Sequence, residues 1–542
     1  MAELMDTQTI GSVFAAAAVE HAGRPFLAVP ANATRAYAQG GLELSYGEAA
    51  VLVEELVAIY RAKGYSAGSR VAMLLENRPE HILHKLALNT IGMCCVPINA
   101  DARPAEIAYQ LDHSEPELIL ALAAREAQIM HSLALSAHKP PVVIAEMFAE
   151  SLPSSRRTHV RDEPTPQGPA SILYTSGTTG RPKGCVLSHG YEVASGAWYA
   201  SRGGLANIRA GQERIYNPLP LYHVNSAVVS LFGAIVSGCC QIQSDRFSPE
   251  RWWPEVAQTG ATIVHYLGVV VPMLLAQAAG QHDRKHQVRF GIGAGVEPQL
   301  HAVFEERFGF PLIEIWGMTE MVRVLADCRA PRQVGTRAFG TAVPGIEVRV
   351  VDEQERDVAD GVPGEMLVRH SAQTPRRGAY SGYLKDEAAT EAAWRGGWLH
   401  TGDVVWRGED GFLHFADRKK NIIRRSGENI AAAEIKALLV THPNVKQAAV
   451  LAVKDEMREE EVMACVVLKQ PQPPEQAGDE LFRFCYERLA YYKAPGWVHI
   501  LDSLPTTGTQ KIQKHTIYAS DVDPRSLPDV QDLRARKKRN LT

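Results

Sequence analysis

A chain of 542 residues is too long for one compact core, so two or more domains are expected. Hydrophobic residues make up 46% and charged residues 22%, as expected of a soluble globular protein. The formal net charge of −4 excludes any global pull toward nucleic acid or an anionic membrane. The predicted elements begin with a strand at 70–75 (RVAMLL) and a helix at 79–91 carrying Ile82, Leu86 and Leu88 at helical spacing. A strand at 94–98, a helix at 104–111 and a strand at 118–122 follow. Such alternation implies a parallel sheet covered on both faces. The pattern resumes at 261–271, 298–308 and 312–316.

The most apolar window, 261–279, approaches membrane-spanning length but carries Thr262, His265, Pro272 and Gln277. It reads as a buried strand running into a helix that starts at Pro272, and no transmembrane segment is expected. The N-terminus has no basic flank followed by an apolar run, so no secretory signal is expected. The eight cysteines include the adjacent pairs Cys94/Cys95 and Cys239/Cys240 but no CxxC or CxxH spacing. That pattern argues against a zinc site and a disulfide framework, and fits a reducing cytosol.

After about 343 the texture changes to short strands at 347–351, 365–369 and, after an Asp-Gly turn, 411–416. These predict a small antiparallel, barrel-like piece. From 421 a compact α+β unit is expected: a helix at 433–440, strands at 445–453 and 461–468, a Pro-rich surface loop at 470–478 and a helix at 480–489. The basic run at 534–539 (RARKKR) reads as a solvated, frayed tail. The expected fold class is therefore α/β, with a large N-terminal domain over 1–417 and a small α+β C-terminal domain over 418–542.

The sharpest chemical signal is 174–184, YTSGTTGRPKG, which follows an apolar strand-like stretch. Small residues let the backbone approach a polyphosphate, the hydroxyls of Thr175, Ser176, Thr178 and Thr179 can donate to it, and Lys183 adds a mobile charge. It is not a Walker loop, because Pro182 precedes the lysine and Gly184 follows it. A flexible Gly/Ser/Thr surface loop is the plainer alternative. Four further segments stand downstream: WGMTE at 316–320, WLHTGD at 398–403, DRKKNIIRRSGENI at 417–430 and PTTGTQKIQK at 505–514.

In these five segments, which recur in the expected order along nearly the whole chain, the sequence resembles the adenylate-forming superfamily of acyl-CoA synthetases, firefly-type luciferases and peptide-synthetase adenylation domains. The 417–430 segment looks most like the carnitine- and crotonobetaine-type CoA ligases. The resemblance implies an ATP-dependent acid–thiol ligase that forms an acyl-adenylate, releases pyrophosphate and passes the acyl group to coenzyme A. It implies that Thr175, Ser176, Gly177, Thr178, Thr179 and Lys183 hold phosphate, and that Gly293, Ala294, Gly295, Trp316, Gly317 and Met318 surround adenine. The family more often has Tyr at the position of Trp316. Thr319 would bond a phosphate oxygen, Glu320 would hold Mg²⁺, and Asp403 and Arg418 would bind the ribose side. A lone Asp after Gly is otherwise a common turn residue.

Lys511 would bridge carboxylate and α-phosphate in the first half-reaction, with Lys514 as the competing lysine. The family usually has Gly before this lysine, whereas Gln510 stands here. Lys420 would be the hinge of a mobile C-terminal domain, and Ser426, Gly427 and Glu428 would line a pantetheine tunnel. His223, Asn225, Leu267 and Gly268 are implied at the acyl pocket, where Ser226 and the nearby Arg323 add polarity. The absence of an Asp near Val224 argues against an ordinary α-amino acid. A small or medium organic acid is the expected substrate. The alternatives left open are a ligase that loads a carrier protein or stops at the adenylate, a medium- or long-chain fatty acyl-CoA synthetase, and a non-enzymatic binding protein that retains the fold. The implied partners are the acid, ATP and CoA, without nucleic acid, in a cytoplasmic protein for which a homodimer is compatible.

Overall fold

The computed structural model describes residues 6–156, 163–175, 181–268, 270–296, 298–418, 422–505, 514, 517–519 and 522–538. Four sheets organise it. The first has seven strands. Its parallel centre joins Cys94–Pro97, Arg70–Leu74, Leu118–Ala121 and Val142–Ile144. On the other side, Pro169–Thr175 pairs antiparallel with Lys183–Ser188, and Gly382–Tyr383 closes that edge. Every residue of Cys94–Pro97 and Leu118–Ala121 is buried, which explains their unbroken apolar sequences.

The second sheet has eight strands. Its parallel core places Arg214–Asn217 beside Ile263–Leu267, then Phe290–Ala294, then Leu312–Met318. Leu312–Met318 then turns back antiparallel into Met321–Ala326, with Met318 opposite Met321. The two residues between them, Thr319 and Glu320, therefore form the tip of a tight hairpin. The helix His189–Ala200 starts at Ser188, whose side chain accepts from the Tyr191 N–H. That helix lies in the shared core, where Tyr191, Trp198 and Phe232 are buried with Ile292, Ile313 and Trp316.

The third sheet is the antiparallel piece expected after 343, with the order Glu347–Val351, Gly364–Arg369, Leu399–Arg407, Leu413–Arg418. The fourth is built from 422–532. The hairpin Ile422–Arg425/Glu428–Ala431 adds to the edge of Glu459–Leu468, which also pairs with Val445–Asp455 and Trp497–Ile500. The helices Ala432–Leu439 and Pro474–Tyr486 belong to the same unit.

Three local expectations are corrected. The helix after Ile263–Leu267 starts at Val270, not Pro272, because a proline within the first turn lacks only an N–H that would have no intrahelical partner. The helix expected at 480 starts at Pro474, inside the supposed loop, for the same reason. The basic tail is not solvated along its length. Lys537 is 7% exposed and its ammonium meets the buried Glu461, whose other oxygen accepts from Arg425 at 2.7 Å. Arg534 pairs with Asp455 at 2.9 Å and Asp532 at 2.7 Å. A buried carboxylate needs cations, and the tail supplies one of the two. All eight cysteines are buried and free. Among the described residues no helix is long and apolar enough to cross a membrane.

Candidate functional site

Parallel strands present their C-terminal ends along one line, where ligands of open α/β sheets bind. Here Ile263–Leu267, Phe290–Ala294 and Leu312–Met318 deliver Leu267, Ala294, Gly317 and Met318 to the wall of one cavity of about 1420 Å³. That exceeds the roughly 300–1,000 Å³ usual for a single small ligand. The same cavity is lined by Thr175, Lys183, Thr319, Glu320 and Asp403, by His223 and Asn225, and by Ser426, Gly427 and Glu428. Segments spread over more than 250 residues of chain thus converge.

The hairpin tip is pinned from behind. The Tyr191 hydroxyl donates to the Thr319 carbonyl at 2.6 Å, and the Tyr380 N–H donates to the Glu320 carbonyl at 3.0 Å. The Tyr383 hydroxyl donates to Glu320 Oε1 at 2.8 Å, and Lys183 Nζ lies 4.7 Å from the centre of the Tyr383 ring. Burial, then the Glu320 charge, pushes the Tyr383 phenol well above its ordinary value, so it stays a donor. Thr175 stands opposite Lys183 in strand register, at the two ends of the phosphate-loop sequence. Ser176, Gly177, Thr178 and Thr179 lie outside the described residues.

Glu320 fits Mg²⁺. It is a cavity-lining carboxylate, and one such ligand suffices for an ion that takes its other oxygens from phosphate and water. Among the described residues no cluster of three or more His, Cys, Asp or Glu forms an all-protein metal cage.

Trp316 does a job its sequence position did not suggest. The ring is 5% exposed and packs in the main core, and its indole N–H donates to Asp403 Oδ2 at 2.8 Å. The structure thus turns the indole toward the carboxylate and the core, where the resemblance implied a place beside adenine. Gly293 and Gly268 stand behind the wall. A Cβ on Gly293 would lie 2.2 Å from the Tyr266 carbonyl, and one on Gly268 would lie 1.9 Å from the Gly295 carbonyl. Gly295 holds φ +91° while its N–H donates to Glu314 at 2.9 Å. These glycines answer to close backbone packing.

On the side of the cavity lined by His223, Glu428 accepts from the Tyr222 hydroxyl at 3.0 Å and lies 3.5 Å from His223 Nε2. Burial would raise the Glu428 carboxyl, but His223 and Tyr222 outweigh it and hold it below the ordinary range. Gly427, at φ +84°, approaches Leu267 so closely that a Cβ would lie 2.1 Å from Leu267 Cδ1. Ser226 and Arg323, expected to add polarity, are buried elsewhere. The Ser226 hydroxyl donates to Gln243 at 3.0 Å, and Arg323 donates to the Arg377 carbonyl. Lys420 and Lys511 lie outside the described residues, and the backbone of Arg418 stands opposite Asp403. For Lys514, burial lowers the pKa first and the charge of Lys436 second.

Four segments that share no local pattern, 174–184, 316–320, 398–403 and 417–430, meet in one cleft with a phosphate-loop lysine, a carboxylate at a hairpin tip and a second, bonded carboxylate: the arrangement of a nucleotide-dependent adenylate-forming enzyme. The chain belongs to the AMP-binding enzyme family, which it matches over residues 14–384, with that family's C-terminal domain matched over 434–511. It is 30% identical over 513 residues to a sulfoacetate–CoA ligase from Cupriavidus necator, spanning 93% of this chain and 96% of the relative. It is 28% identical to a crotonobetaine/carnitine–CoA ligase from Salmonella paratyphi A, over 88% and 93% of the two chains. In fold it is similar to a double mutant of o-succinylbenzoate CoA synthetase from Bacillus subtilis bound with a product analogue, at 24% identity and TM-score 0.80, covering 94% and 98% of the chains.

Proposed function

We propose that the protein is an AMP-forming acid–CoA ligase acting on a small or medium organic acid. A carboxylate oxygen of the acid attacks the α-phosphorus of ATP and pyrophosphate leaves. The CoA sulfur, having lost its proton, then attacks the acyl carbon and AMP leaves. Lys183 and Thr175 hold phosphate, Asp403 takes the ribose hydroxyls, and Lys511 bridges the two anionic reactants where charge builds in the first transition state. Glu320 would hold Mg²⁺, which supplies Lewis-acid neutralisation of phosphate charge.

The observation that carries this reading is the shared cavity: the hairpin residues Ser426, Gly427 and Glu428, packed against Tyr222, His223 and Leu267, line the same space as Glu320 and Asp403. A thiol arm entering beside Gly427 would meet an acyl group lying against Leu267. This supports CoA attack in the arrangement described, with residues 418–542 as a unit that turns about Lys420 to bring Lys511 in for the first step.

The test is acid-dependent release of AMP and pyrophosphate, measured with and without CoA. Both products should turn over only with acid present, and AMP release should accelerate with CoA. Lys511→Ala should lose on the order of 3 kcal/mol or more of transition-state stabilisation in adenylate formation. It should still convert a supplied adenylate and CoA to the thioester. Near-normal pyrophosphate release by that variant would move the role to Lys514.

A further inference from the structure

The six-residue π-helical turn Asn225–Ser230 opens with Asn225 at the cavity wall. Such turns are rare and cluster at functional sites. Its amide orientation is not free. The Leu219 N–H donates to Asn217 Oδ1 at 3.0 Å, which makes the other end of the Asn217 amide a donor. That Nδ2 reaches Asn225 Oδ1 and Ser230 Oγ, both at 2.9 Å. His265 Nδ1 also meets Asn225 Oδ1, at 2.8 Å, while its Nε2 stands 3.0 Å from the Tyr199 hydroxyl. An amide oxygen can only accept, so His265 carries its proton on Nδ1 and Tyr199 donates to Nε2. Burial, which lowers His265 to about 3, keeps the ring neutral in that tautomer.

Two donors therefore hold Asn225 Oδ1, and the amide nitrogen is left at the other side of this partly exposed side chain. Among the described residues no acceptor meets it. The same segment, the strands Ile263–Leu267 and Leu312–Met318 and the helix that starts at Val270 contribute the apolar Val224, Val229, Leu267, Val270 and Ile315 to the cavity wall. No described lysine or arginine on these elements lines the cavity, the arginines and lysines of its wall standing on other elements, and His223, two residues before Asn225, faces the Glu428 carboxylate.

We propose that Asn225 Nδ2 is the specificity donor of the acyl pocket, and that the site takes a carboxylic acid bearing an uncharged oxygen acceptor, such as a ketone or ether, on an otherwise apolar chain. This rests on the ligase reading above. A second carboxylate or a sulfonate held against these elements would be desolvated beside side chains that carry no cation, and a quaternary ammonium would face a donor. The relatives named for sulfoacetate and for crotonobetaine or carnitine thus differ from this chain in what the pocket must recognise. An amide donor buried against a chain without an acceptor loses a hydrogen bond to water and gains none, which sets a preference on the order of tenfold.

The test is acid-dependent ATP–pyrophosphate exchange with the full-length protein. The panel holds a straight-chain alkanoic acid, analogues with successive methylenes replaced by a carbonyl or ether oxygen, an analogue ending in a second carboxylate and one ending in trimethylammonium. In the wild type, kcat/KM should peak about tenfold for one oxygen position. The doubly anionic and cationic acids should be the poorest. Asn225→Asp keeps the oxygen that His265 and Asn217 need and replaces the donor by an acceptor. It should erase or reverse the peak. Asn225→Leu should flatten the series in favour of the plain alkanoic acid, and retention of the wild-type Tm marks each variant as folded. A peak that survives in either folded variant, or a wild type that favours the second carboxylate, overturns the proposal. If no acid in the panel supports exchange while ATP still binds, the ligase reading falls and takes this one with it.

Discussion

Asp403 does not stand alone: the Trp316 indole fixes one of its oxygens at 2.8 Å in a setting where Asp403 is 3% exposed. A hydrogen bond to a buried charge is worth roughly 1.5–3 kcal/mol. Trp316→Phe keeps the core ring and removes that donor, so the KM for ATP should rise on the order of tenfold, read in pyrophosphate exchange. An unchanged KM would separate Trp316 from nucleotide binding. Glu320→Gln should raise the Mg²⁺ concentration needed for half-maximal adenylation, since an amide is a poorer ligand for a hard cation. A superimposable Mg²⁺ titration would remove Glu320 from that role. The motifs made Glu320 and Asp403 visible in the sequence. Their supports were not visible, because Tyr383 arrives on an edge strand 63 residues after Glu320 and Trp316 reaches Asp403 across 87 residues.

At the scale of elements, the strand that carries the Trp316–Glu320 segment is anchored at its start by the preceding helix, Pro298–Phe308. Glu305 of that helix accepts from the Leu312 N–H at 2.8 Å and from both Arg332 terminal nitrogens at 2.8 Å. Burial would raise its carboxyl, but His301 and Arg332 outweigh that and lower it to about 2. A carboxylate depressed in the folded state stabilises it fully above its ordinary value of 4.5 and loses that contribution as pH falls toward about 2. The shift corresponds to something on the order of 3 kcal/mol. Glu305→Gln should therefore lower Tm most near about pH 6, with the gap closing through the acid range. A gap independent of pH would mean that the loss is steric. The alternation of strand and helix was legible because burial on both faces writes unbroken apolar runs such as 94–97 and 118–121. Helix starts at Val270 and Pro474 were displaced in the reading because proline marks a first turn without saying which residue of it. The tail failed for another reason: six residues of basic sequence look solvated until the buried Glu461, 76 residues away from Lys537, is known.

Across the whole molecule, one cavity has to serve two reactions with different geometrical demands. On the mechanism proposed, adenylation needs Lys511 at the α-phosphate, and thioester formation needs an open path to the acyl carbon. In the arrangement described, the 422–431 hairpin sits against Tyr222 and Leu267 through Glu428 and Gly427. Its unit is held by further contacts, among them Lys493 with Glu106 at 2.6 Å and Asn99 with the Tyr492 hydroxyl at 2.8 Å. On the mechanism proposed, the unit turns between the two steps. Single-turnover kinetics of each half-reaction, on Lys420→Pro and on Gly427→Leu, tests this most directly. Proline fixes φ near −65° and should lock the hinge. A side chain at Gly427 would strain a left-handed backbone and run into Leu267. Both variants should retain substantial acid-dependent adenylate formation and lose most transfer to CoA. Equal loss of the two half-reactions in both variants would contradict the two-arrangement mechanism.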